Sequence, residues 1–184
     1  IREYIKTDVG GVHIEDQAFP KRCGALKGKK FVSHEEAVGK IQAASDVRNE
    51  RNEDFVIIAL TDVPDIDDRI KRGNEYSAAG ADVVFPTGAE SASDVKRMGT
   101  EIDAPLLYTN SVVSDSPIVS HEDLQAWGYS LAVYWDIGLI ATISEVYPYM
   151  KQLETDGENV LTSLETVLDE VPIDGFHSFT GVPE

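Results

Sequence analysis

From Gly11 to Asp136 short apolar, β-branched runs alternate with amphipathic stretches, the pattern of βα units built around a parallel sheet. Five strands are predicted: Gly11–Asp16 (GVHIED), Asp54–Asp62 (DFVIIALTD), Asp82–Thr87 (DVVFPT), Pro105–Ser111 (PLLYTNS) and Ser130–Asp136 (SLAVYWD). Val56 to Leu60 and Val83 to Phe85 are apolar at successive positions, so both faces of these strands need covering by helices. An antiparallel sandwich would alternate instead. The helices between them have marked starts, because Ser33-x-x-Glu36, Ser91-x-x-Asp94 and Ser120-x-x-Asp123 each offer a hydroxyl and a carboxylate to the free amides of a first turn. From Glu35 to Arg48 the stripe Ala37, Val38, Ile41, Ala44 suits a helix packed on the sheet, and Gly80 is placed to end the next helix in a left-handed conformation.

Beyond Asp136 an apolar helix is expected over Leu139–Leu153, bent near Tyr147 by Pro148. After the Asp156-Gly157 break, Val160, Leu161, Leu164, Val167 and Leu168 form a second apolar stripe, and Pro172–Glu184 reads as an irregular end. Regular βα spacing fits a doubly wound sheet or a (β/α)8 barrel, and five strands are too few to close a barrel. In a barrel, about three βα units, on the order of 90 residues, would be missing at the amino end. The first residue is Ile1, not methionine, which fits a fragment. The expected division is a partial barrel over residues 1–155 and a helix and tail over 156–184.

Composition narrows the function. The chain carries a net charge of −17, which argues against a nucleic-acid or anionic-membrane surface. The acidic excess runs along the whole length, as expected of a halophilic protein kept hydrated in high salt. Cys23 is the single cysteine, so no intrachain disulfide or multi-cysteine metal knuckle can form, and a cytoplasmic location is expected.

Reactive groups in parallel α/β folds gather at the carboxyl ends of strands, which here carry Glu15, Asp16, Thr61, Asp62, Thr87, Thr109, Asn110, Ser111 and Asp136. Between the first strand and first long helix lies a basic insertion, Phe19 to Lys30, with Lys21, Arg22, Lys27, Lys29 and Lys30. Such a positive island in an acidic chain suits a small di- or tricarboxylate. Lys21 and Arg22 favour the Cys23 thiolate, making it a candidate general acid or base; the alternative is a solvated loop with an incidental cysteine. The Glu15-Asp16 pair suits a hard divalent cation held partly through water.

HIEDQ (His13 to Gln17), PKRCG (Pro20 to Gly24) and Gly28-Lys29 together resemble the signature of the isocitrate lyase and phosphoenolpyruvate mutase superfamily, in particular its short methylisocitrate and isocitrate lyase members. The resemblance continues in order through DFVIIALTD, AGADVVFP (Ala79 to Pro86), PLL (Pro105 to Leu107) and WGYSLAVY (Trp127 to Tyr134). It implies a (β/α)8 TIM barrel of which this chain supplies strands four to eight plus the C-terminal helices. It also implies a homotetramer or other homo-oligomer with its last helix exchanged between subunits. Its implied chemistry is Mg2+-dependent (or Mn2+-dependent) retro-aldol cleavage of a 2-hydroxy di- or tricarboxylate, releasing glyoxylate or pyruvate with a carboxylate such as succinate. By position Cys23 handles the proton, Lys21 and Arg22 assist it, Gly24, Thr87, Thr109, Asn110 and Ser111 meet substrate, and Glu15 belongs to the metal shell.

The chain departs from the family at Ala25, where a histidine usually follows KRCG. Leu60 stands where ARTD carries an arginine, and Thr87 where a glutamate follows FP. Thr109-x-Ser111 replaces N-x-T, unless Asn110 serves after a one-residue shift. A leucine cannot reproduce a bidentate arginine–carboxylate contact, so these changes favour a second reading, a noncatalytic paralogue that assembles or binds ligand. Phosphonopyruvate-type mutases or hydrolases, which generally lack this cysteine, are a lesser alternative.

Overall fold

A computed structural model describes residues 1–24, 26–51 and 54–164. Five strands form one all-parallel sheet: β1 (Gly11–Glu15), β2 (Val56–Thr61), β3 (Val83–Pro86), β4 (Leu106–Thr109) and β5 (Tyr129–Val133). The first four lie inside their predicted runs, and β5 begins one residue early, at Tyr129. The strands follow one another in chain order, β1-β2-β3-β4-β5, with no reversal. A doubly wound sheet requires a switch point in its strand order, so the sequential order is that of a barrel wall, with β1 and β5 as its edges.

The connecting helices are α2 (His34–Arg51), α3 (Ile66–Ala78), α4 (Ala92–Glu101) and α5 (His121–Ala126), preceded by a single turn, α1 (Arg2–Ile5). Every second strand residue faces them: Ile57, Ala59, Val84, Leu106 and Tyr129 pack with Ile41, Ala44, Tyr76, Val95 and Met98 in one core. The other face is the barrel side, where register aligns Glu15, Leu60 and Phe85 in one row and His13, Ile58 and Val83 in the row beneath.

All three predicted serine caps accept the amide three residues on, from Glu36, Asp94 and Asp123. The carboxylate returns the bond to the cap backbone only at Ser91 and Asp94; Glu36 instead pairs with Lys40. Asp65 caps α3 through the Asp68 amide, a start not anticipated from the sequence although Asp65-x-x-Asp68 has the same spacing. Gly80 follows α3 at φ 100°, as its position predicts.

Two compact units divide after Asp136, earlier than the Asp156-Gly157 break predicts, because α6 (Ile137–Asp156) belongs wholly to the second unit. Pro148 lies inside α6, and none of the helix's residues is buried. A 3-10 turn at Gly157–Asn159 leads into helical residues 160–164, where Val160 is buried and Gln152 bonds Ser163. Val167, Leu168 and the Pro172–Glu184 end lie outside the described residues. Among the described residues no helix is long and apolar enough to cross a membrane.

Candidate active site

Glu15 and Asp16 are neighbours in sequence and part company in space. Successive strand residues point to opposite faces, so Glu15 lies on the barrel side while Asp16 turns toward α3. The paired-carboxylate metal site expected from their adjacency therefore does not form. Asp16 is buried, and its Oδ2 accepts from Thr61 Oγ1 at 2.7 Å, Tyr76 Oη at 2.8 Å and Arg72 Nη1 at 3.0 Å. Oδ1 has no partner among the described residues. Burial, reinforced by the Asp16 charge, pushes the Tyr76 hydroxyl well above its ordinary range, so Tyr76 remains a donor. Arg72 also donates to Val32 O at 3.2 Å, while the Val32 amide donates to Asp16 O at 2.9 Å, so this network grips the carboxyl end of the basic loop.

Glu15 is the carboxylate left on the barrel side, only 16% exposed. Gln17 Nε2 donates to its Oε1 at 2.7 Å, and Lys21 forms a close ion pair with its Oε2. Both oxygens are engaged, and among the described residues no three His, Cys, Asp or Glu side chains converge as a metal site. Glu15 fits at most one position of a cation's shell, too little for a metal centre from these residues alone.

The basic loop is folded back on itself. Its neck is tied by Ala18 N to Lys30 O at 2.7 Å and by an antiparallel bridge between Gln17 and Phe31. The Gln17 amide holds the backbone of Arg22 from both sides, its Oε1 accepting Arg22 N and its Nε2 donating to Arg22 O, each at 3.0 Å. Cys23 comes next in the chain. Its thiol is exposed, and its carbonyl accepts Leu26 N at 2.9 Å. Gly24 lies so close to β2 that a Cβ there would approach Asp62 Oδ2 to 3.4 Å. Lys21, Arg22, Cys23 and Gly24 are thus brought to the carboxyl ends of β1 and β2, beside Glu15 and Asp62.

Asp62, buried at the end of β2, accepts Thr87 Oγ1 on its Oδ1 at 2.8 Å and pairs with Lys29 through Oδ2 at 2.7 Å. The residues of β4 form a separate group. Thr109 is half-buried, with a 3.4 Å contact to Val133 O. Asn110 directs both atoms of its amide to Val119, donating to Val119 O and accepting Val119 N at 2.9 Å each, and it also donates to Tyr134 Oη. Its amide thus pins the segment leading to α5. Ser111 Oγ donates to Asp136 at 2.8 Å, as does the Val112 amide. Burial works to raise the Asp136 carboxyl, but these hydrogen bonds outweigh it and hold the group below its ordinary value. Sequence reasoning missed the pairing of Lys29 with Asp62, whose only local signal is a lysine after Gly28 in an otherwise solvated run.

Residues 1–150 match the phosphoenolpyruvate phosphomutase family. The chain is 39% identical over 137 residues to 2,3-dimethylmalate lyase of Eubacterium barkeri, covering 73% of this chain and 47% of that enzyme. It is 33% identical over 185 residues to 2-methylisocitrate lyase of Shewanella oneidensis, covering 97% and 62% respectively. The chain thus spans about half to three fifths of the relatives it matches. A crystal structure of 2,3-dimethylmalate lyase superposes with a TM-score of 0.80 at 26% identity, over 97% of this chain and 62% of that one. Sequential parallel strands, a cysteine-bearing loop between β1 and α2, and the match over residues 1–150 lead to one assignment: the chain belongs to the phosphoenolpyruvate phosphomutase and isocitrate lyase family, as a five-stranded part of its (β/α)8 barrel.

Proposed function

We propose that the protein is a carbon–carbon lyase acting on a small 2-hydroxy di- or tricarboxylate. The observation that supports this reading is the loop carrying Cys23, whose neighbours Lys21 and Gly24 meet Glu15 and Asp62 at the carboxyl ends of β1 and β2. In a retro-aldol cleavage the substrate hydroxyl passes its proton to water acting as base, its oxygen forms the C=O of the oxo acid as the carbon–carbon bond breaks, and that bond's electron pair passes into the carboxylate on the other carbon. Cys23 then delivers the thiol proton to that carbon, and Lys21 and Arg22 keep the surroundings cationic as negative charge accumulates. The products are an oxo acid, glyoxylate or pyruvate, and a carboxylate such as succinate. A divalent cation, Mg2+ or Mn2+, is part of the proposal; Glu15 is this chain's side chain for it, and the cation would supply electrophilic stabilisation of developing oxygen charge. The reading extends to a cytoplasmic enzyme that assembles with copies of itself and exchanges its C-terminal helix. The exposed apolar side chains of α6, among them Ile137, Leu139, Ile143, Tyr147, Met150 and Leu153, support that assembly.

Leu60 bears on the substrate class. It is in register with Glu15 and Phe85 on the barrel side, at the position where the family resemblance implies a carboxylate-binding arginine. Leu60→Arg is expected to tighten binding of isocitrate by about tenfold or more, since a guanidinium gains a bidentate carboxylate contact that leucine lacks. Calorimetric titration checks this, and no gain would mean that the substrate carboxylate lies elsewhere.

The function is tested by offering isocitrate, 2-methylisocitrate, dimethylmalate, oxaloacetate and phosphonopyruvate to the folded protein in high salt, with and without Mg2+, and detecting released oxo acid. Cation-dependent release from a 2-hydroxy acid supports the lyase. Silence across the panel favours the noncatalytic paralogue, a reading that Leu60 and the fully engaged Asn110 amide also support.

A further inference from the structure

We propose that Lys29 and Asp62 form a latch that holds the cysteine loop over the strand ends, making them positioning residues for Cys23; the kinetic part of this inference rests on the lyase reading. Lys29 Nζ lies 2.7 Å from Asp62 Oδ2 and donates to Gly24 O at 2.8 Å. One ammonium therefore ties the residue after Cys23 to the end of β2. The pair is sheltered, with side chains 18% and 4% exposed, unlike the solvated surface pairs that contribute little. Asp62 is itself fixed from the other side by Thr87 Oγ1 at 2.8 Å, so the latch is mounted on two strands. Gln17 grips Arg22 ahead of the cysteine, and Lys29 grips Gly24 behind it. Cys23 is bracketed while its own thiol stays exposed. Lys27, on the same loop, is exposed and supplies the control.

Because Cys23 is the single cysteine in the sequence, a nitroxide attached to it reports loop mobility without assuming any activity. In the full chain, Lys29→Met and Asp62→Asn are each expected to convert a restrained spectrum to a mobile one. Lys27→Met should resemble the parent, and the double variant should be no more mobile than either single one. In the unlabelled protein Lys29→Met should lower kcat about tenfold to hundredfold with KM changed far less, as expected when a catalytic group is misplaced and not lost. Unchanged label mobility in both Lys29→Met and Asp62→Asn would overturn the latch, as would increased mobility with an unchanged kcat. Greater mobility in a protein that turns over none of the panel acids would sustain the latch while removing the lyase reading.

Discussion

Replacing Cys23 by serine is expected to lower turnover by about 10^2- to 10^4-fold, the range contributed by a positioned proton donor or acceptor. Serine keeps the shape and removes the readily ionised thiol. Among the described residues the fold does not lean on the sulfur: the side chain is exposed, and the contact the residue makes to Leu26 runs through its backbone carbonyl. The melting temperature and oligomeric state should therefore match those of the parent while oxo-acid release is lost. A serine variant that retains substantial activity would remove Cys23 from the mechanism. Glu15→Gln should likewise change cation dependence more than stability, because its partners Lys21 and Gln17 both sit on or beside the loop.

The adjacent position should behave in the opposite way. Asp16→Ala is expected to cost about 3–5 kcal/mol of folding stability, the range seen when one member of a buried ion pair is removed. Arg72 and Asp16 have side chains only 6% and 1% exposed, and removing the carboxylate also takes the acceptor from Tyr76 and Thr61. Arg72 would keep Asp68 at 3.4 Å and the Val32 carbonyl as partial substitutes. Urea unfolding of the two variants side by side checks the contrast: a lower midpoint at similar slope for Asp16→Ala, and a midpoint close to the parent's for Glu15→Gln. A loss below about 1 kcal/mol at Asp16 would show that the network relaxes around the gap.

The strands were legible because buried parallel strands concentrate β-branched residues, and Val56 to Leu60 or Val83 to Phe85 allow few other readings. The cysteine loop was legible from its chemistry and family spacing. Glu15 and Asp16 were harder, since two acids in succession look alike until strand register assigns them to opposite faces. Asn110 offered an amide at a strand end, and only the return of the chain at Val119 shows both of its atoms engaged. Lys29 and Asp62 are separated by all of α2, so no local pattern joins them; the parallel pairing of β1 with β2 does.

The alternation along the strand ends has an evolutionary consequence. Leu60 faces the barrel side and has no side-chain hydrogen bond to lose, whereas Asp16, Thr61, Thr87 and Asn110 are tied up in internal hydrogen bonds. A substitution at Leu60 can therefore alter what the barrel side meets with little damage to folding, while the hydrogen-bonded set resists change. Divergence on such a scaffold is expected at barrel-side positions such as Leu60, while a buried network such as that of Asp16 keeps the framework the same.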